Sequence, residues 1–124
     1  MSAGPLHEPL VTFVTTDYAG ITRGRTIAAS AYRPGQQKTV GWVPANMSLT
    51  PFDLIADPNP WGSSGDLRLL PDDNAHFRFA IEGSTTPLDI IMSDIVELDG
   101  KPWVCCPRSF LKQALADLAT ETGL

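Results

Sequence analysis

The sequence predicts an α+β domain, a mixed sheet of about five or six strands with one C-terminal amphipathic helix laid over one face. Three observations carry this. Short runs rich in β-branched and aromatic residues recur along the chain, as in Leu10 to Thr16 (LVTFVTT). Asp99-Gly100, between two such runs, is a strong hairpin-turn signal. After Pro107, the residues Phe110, Leu111, Ala114, Leu115 and Leu118 fall at helical spacing on one face.

Taken in order, Leu10 to Thr16 is the first strand. Asp17-Tyr18-Ala19-Gly20 is a tight turn, with Asp able to bond its own backbone and Gly free to take positive φ. Ile21 to Ala28 returns as the second strand, and its alternation puts Ile21, Arg23, Arg25 and Ile27 on one face. Two arginines there form either a salt-bridged sheet surface or a contact with a partner. Ala29 to Tyr32 reads as a helical turn that Pro34-Gly35 breaks, and Thr39 to Val43 as a short strand. From Pro44 to Gly65 the chain holds four prolines and no clear period, so it reads as a long loop. A loop of about twenty residues in a compact domain is usually functional.

Asp66 to Leu70 reads as a strand ended by Pro71. His76 to Glu82 alternates cleanly, which sends Phe77, Phe79 and Ile81 inward. Leu88 to Leu98 and Lys101 to Cys105 are the arms of the Asp99-Gly100 hairpin. Pro107 suits the first helical position, where its missing N–H costs nothing, and Gly123 suits the stop. The Phe110 to Leu118 stripe is expected to be core. No internal repeat and no linker divides the chain, so residues 1–124 read as one domain.

Composition excludes several classes. With 43% hydrophobic and 19% charged residues the chain is expected to fold rather than stay disordered. A formal charge of -5 argues against a nucleic-acid partner, whose phosphates call for a basic patch. No apolar run reaches the roughly 20 residues that span a bilayer, and the N-terminus lacks the pattern of a signal peptide, so no membrane partner and a cytoplasmic location are expected. Cys105 and Cys106 are adjacent and are the only cysteines, so no disulfide framework is available and both read as reduced thiols at a strand end. Only His7 and His76 offer imidazoles, and no spacing resembles a zinc site.

Three segments carry a family resemblance. DYAGITRGR (Asp17 to Arg25) fits a hairpin pattern D-x-x-G-x-x-R-G-K/R, DLRLLPD (Asp66 to Asp72) a strand ending in Pro-Asp, and DGKPWVCCPRSFLK (Asp99 to Lys112) a junction D-G-x-P-x-x-x-x-P-R-x-x-L. In this order they resemble the N-terminal part of the glutamine synthetase family, and more closely its divergent branch that includes γ-glutamyl–amine ligases. The resemblance implies a β-grasp N-terminal domain that packs on the catalytic domains of its own and a neighbouring subunit in a homo-oligomer. The family reaction uses ATP to phosphorylate the γ-carboxylate of glutamate, after which ammonia or an amine displaces phosphate. Divalent Mg or Mn ions in the larger C-terminal domain assist the transfer.

The resemblance places that machinery after Leu124, so the chain is expected to be the opening domain of a larger protein, to bind no cofactor itself and to be inactive alone. Apolar surface left bare by a missing domain would make it self-associate. One functional position falls within the chain. Standard members carry a loop F-D-G-S-S whose aspartate helps bind ammonium in the neighbouring subunit's site, and Phe52-Asp53 stands at a comparable place. Asp53 is therefore the candidate amine or ammonium residue, against the plainer reading of a loop or capping aspartate. Leu54-Ile55-Ala56 in place of Gly-Ser-Ser fits a larger amine than ammonia, or a different activity. Trp61, Ser63 and Ser64, with Arg23 and Arg25, are the candidate interface residues, although Trp61 can equally fold back onto its own core. Arg108 is expected to pair with an acidic neighbour.

Two rivals belong to other classes. A β-grasp sheet commits to no function by itself, so a free-standing binding or regulatory module is the alternative. A small enzyme with a cysteine nucleophile ranks last, because neither histidine has a spacing that argues for it.

Overall fold

The computed structural model describes residues 9–84 and 87–124, so His7 lies outside the described residues. The chain is α+β, as the sequence predicts: β1 (Leu10–Thr16), β2 (Thr22–Ala28), β3 (Val40–Trp42), β4 (Leu67–Phe79), β5 (Leu88–Val96) and one helix, α1 (Pro107–Thr122). The five strands form one mixed sheet in the order β2-β1-β5-β4-β3, with β1 and β5 parallel at its centre. The first hairpin pairs Leu10 with Ala28 through to Thr16 with Thr22. Its turn closes because Asp17 Oδ1 accepts from the N–H groups of Ala19 (3.0 Å) and Ile21 (2.9 Å) while Gly20 takes φ 80°.

The sheet coils until its two edges nearly meet. Arg25 on β2 donates from Nη1 to the carbonyl of Gly41 on β3 (3.2 Å), although these strands stand at opposite ends of the strand order. Strand twist accumulated over a narrow sheet brings edges together in this way. The interior is filled from within: Phe13, Leu69, Ile91 and Ile95 are fully buried, joined by Met47 from a short 3-10 turn at Pro44–Ser48 and by Trp103.

Several expectations are corrected. The predicted long loop is partly ordered by that turn, which buries Pro44, Ala45 and Met47. Pro71 does not end a strand: β4 runs on to Phe79, with a register shift between Pro71 and His76. Pro71 is tolerated because β3 pairs no further than Leu69, so the ladder on that side has already ended. Phe77, Phe79 and Ile81 do not point into a core but are 46%, 50% and 49% exposed, since the outer arm of β4 and β5 projects beyond β3. Lys101 to Cys105 makes no strand. Its hairpin turn forms, with Gly100 at φ 86°, but pairing stops at a bridge between Val96 and Pro102 and a bond from Trp103 N to Ile95 O (3.0 Å). Cys106 instead caps α1, its Sγ accepting from Ser109 N (3.5 Å) and from Ile95 N (3.2 Å).

The largest correction concerns α1. Its apolar stripe is not core: Phe110, Leu111, Leu115 and Leu118 are 75%, 56%, 56% and 51% exposed. A sheet that closes on itself has little open face left for a helix to cover. The helix is attached at its N-terminal end, through Cys106, Arg108 and Lys112, and its residues from Phe110 on are exposed.

Candidate functional site

The β1–β2 hairpin delivers Arg23 to a point between two carboxylates. Arg23 Nε donates to Asp17 Oδ2 at 2.6 Å and Nη1 to Asp53 Oδ1 at 2.5 Å, with Nη2 3.4 Å from the carbonyl of Thr50. Asp17 is wholly buried beneath the turn. Burial pushes its carboxyl up, but Arg23 and the backbone N–H groups of Ile21 and Ala19 outweigh that and hold it below the usual range. The side chain of Asp53, by contrast, is 75% exposed. These three charges leave the cluster with a net negative charge, and it faces solvent at Asp53.

The segment around Asp53 is a closed turn. Thr50 N donates to Leu54 O (2.7 Å), Asp53 N to Thr50 O (3.0 Å), and Thr50 Oγ1 accepts from Phe52 N and Leu54 N at 3.3 Å. Leu49 and Ile55 pair across its base. Asp53 sits at φ 63°, a left-handed conformation that non-glycine residues adopt at a cost. Phe52, Leu54 and Ile55 around it are 83%, 66% and 43% exposed, so the carboxylate stands among bare apolar side chains.

The remaining candidates divide. Trp61 folds back: its ring stacks on Tyr18 (centroids 6.0 Å apart) and leans on Trp103 (5.3 Å). Ser63 and Ser64 lie exposed beyond it. Arg25 lies on the same strand face as Arg23, and the two line a cleft of about 490 Å³ between the sheet edges with Gly41, Trp42 and Asp66. The structure thus brings Arg23 and Asp53 into contact and sets Arg25 along the same cleft as Arg23, while Trp61 packs on Tyr18 and Trp103 and Ser63 and Ser64 stay exposed.

A second charged group lies at the root of α1. Arg108 spans Asp72 (Nη2 to Oδ2, 2.7 Å) and Asp94 (Nη1 to Oδ1, 2.8 Å), and Lys112 reaches Asp94 at 2.6 Å. Arg108 is the main reason that the Asp72 carboxyl lies below its ordinary value. The expected acidic neighbour of Arg108 is therefore two residues, from two strands. Beside them Tyr32 donates to Asp73, and burial together with that bond pushes its hydroxyl up to about 12. His76 is bonded to Asp89. Sequence reasoning missed Asp17, Asp94 and Lys112 as partners, because nothing in linear spacing joins residues that only the sheet order brings together. The one local signal was Asp17 at the head of a turn. Among the described residues no three His, Cys, Asp or Glu side chains converge as a metal site requires. No described helix is long and apolar enough to cross a membrane.

Residues 3–103 match the family model described as glutamine synthetase N-terminal domain. A crystal structure described as a novel glutamine synthase homolog is 44% identical and superposes with a TM-score of 0.85, covering 97% of this chain. The chain spans 29% of the length of that relative. The glutamine synthetase of Plasmodium falciparum, solved by cryo-electron microscopy, shares the fold at a TM-score of 0.62 and 16% identity, over 92% of this chain and 20% of that one. Comparison with curated proteins returns no match.

Proposed function

The chain belongs to the glutamine synthetase family through its N-terminal domain, and on that premise we propose that it serves an ATP-dependent glutamate–amine ligase as the domain that completes a neighbouring subunit's active site. The observation that carries the reading is Asp53, an exposed carboxylate on a closed turn in a cluster of net negative charge. A carboxylate so placed attracts an ammonium group and accepts the proton that the amine must lose before it can attack an acyl phosphate. The exposed Phe52, Leu54 and Ile55 favour an amine with an apolar body over ammonia, which is the choice of the γ-glutamyl–amine branch.

ATP and divalent Mg or Mn would be held elsewhere in a longer protein, a reading supported by the chain spanning 29% of the length of the homolog that it matches. The exposed stripe of α1 supports a homo-oligomer or a further domain that covers it. The test is ATP hydrolysis by the natural gene product with glutamate and a panel of amines, beside Asp53→Asn. We expect amine-dependent turnover in the unsubstituted protein and a loss of about tenfold or more in kcat/KM for the amine in the variant. Unchanged amine dependence in Asp53→Asn would remove Asp53 from the site.

A further inference from the structure

We infer that Arg23 is a positioning residue for Asp53 and that Asp17 sets the charge with which the pair meets an amine. This rests on the reading of Asp53 as the amine residue. Three observations support it independently of any relative. First, Asp53 holds φ 63° in an exposed turn, a conformation that an isolated loop residue would leave readily. Second, Arg23 grips both ends of that turn, the Asp53 carboxylate at 2.5 Å and the Thr50 carbonyl at 3.4 Å, while its own side chain is only 17% exposed. Third, the rear of the guanidinium is fixed by Asp17, which is itself held by two backbone N–H groups.

The arrangement resolves an electrostatic conflict. An arginine alone beside Asp53 would neutralise it and repel an incoming ammonium group. Asp17 contributes a second carboxylate from behind, so the positive charge is already matched and Asp53 remains net attractive to a cation. Only Oδ1 of Asp53 is bonded to Arg23, which leaves Oδ2 for the ligand. Arg23 therefore supplies rigidity without removing the charge that binding needs.

The test uses the natural gene product carrying this chain, with Arg23→Met, Arg23→Lys and Asp53→Asn. KM values for amine and for ATP are measured separately, with a melting temperature for each variant. We expect Arg23→Met to raise the amine KM about tenfold while the KM for ATP stays in place, and Arg23→Lys to recover part of the loss. If Asp53→Asn leaves the amine KM unchanged, the amine-site reading fails and this inference falls with it. If Asp53→Asn raises it and Arg23→Met does not, the reading survives and the positioning role is wrong. Equal losses in every parameter with a lowered melting temperature and no rescue by lysine would show that Arg23 serves the fold alone. A gene product that turns nothing over defeats both.

Discussion

The sheet and the helix of this chain carry similar apolar residues and meet opposite fates. Leu69, Ile91 and Ile95 in the sheet are completely buried, whereas Phe110, Leu111, Leu115 and Leu118 in α1 all remain more than half exposed. The contrast teaches that periodicity identifies an apolar face but not what covers it. A sheet flat enough to need a lid would have recruited the helix. This one coils until Arg25 reaches Gly41 across the gap between its edges, and its interior is filled by its own side chains and Met47.

The largest expected effect tests the self-sufficiency of the sheet. Ile95→Ala should cost about 3 kcal/mol, since the site is rigidly surrounded and has little room to collapse. Urea unfolding followed by tryptophan fluorescence measures it. A loss below about 1 kcal/mol would mean that the interior is looser than its burial indicates, and the contrast with the helix would weaken.

Next comes the joint between the two regions. Arg108→Met strips the shared cation from Asp72 and Asp94, each about four-fifths buried at the side chain. The expected cost is about 1–3 kcal/mol, the range for partly buried polar groups left without a partner. Faster amide exchange through the first turn of α1 should accompany it. Exchange that quickens equally in β5 and β1 would show that the joint supports the whole sheet rather than the helix root.

The joint and the Arg23 cluster together fix a pH response. Asp72 and Asp17 both have carboxyls held below the ordinary value of 3.8, so each binds protons more weakly folded than unfolded. Their contribution is fully present above the unfolded carboxylate range and is lost as pH falls below about 4 toward the folded values. Acid unfolding should therefore steepen there, and Arg108→Met should flatten the Asp72 share. An acid limb identical in the two proteins would assign the response to other carboxylates.

What was legible in the sequence follows from whether a feature is local. The turn at Asp17 to Gly20, the first hairpin, the Asp99-Gly100 turn and both ends of α1 depend on residues close in sequence, and each forms where local chemistry places it. Pro71 misled because its cost depends on whether a neighbour strand needs its N–H, which is decided by how far β3 extends. Phe77 and Phe79 misled because alternation says nothing about where a strand outruns its layer. At the candidate site Arg23 and Asp53 were each legible singly, yet their direct pairing, with Asp17 behind Arg23, required the hairpin and the turn at residues 50–54 to be brought together.

The smallest expected effect on stability is also the sharpest test of the contrast. Leu115 lies in the middle of the bare stripe, so Leu115→Glu should change the stability of the 124-residue chain by no more than about 0.5 kcal/mol. If the stripe is a docking face, the same change should abolish concentration-dependent self-association of that chain in light scattering, because a charge at the centre of an apolar contact must be desolvated without a partner. A loss of several kcal/mol in the isolated chain would place Leu115 in a core after all. A neutral effect on stability with association unchanged would leave the stripe bare but idle. Neutral stability with association lost would mean that the helix keeps its apolar face for a surface outside its own sheet.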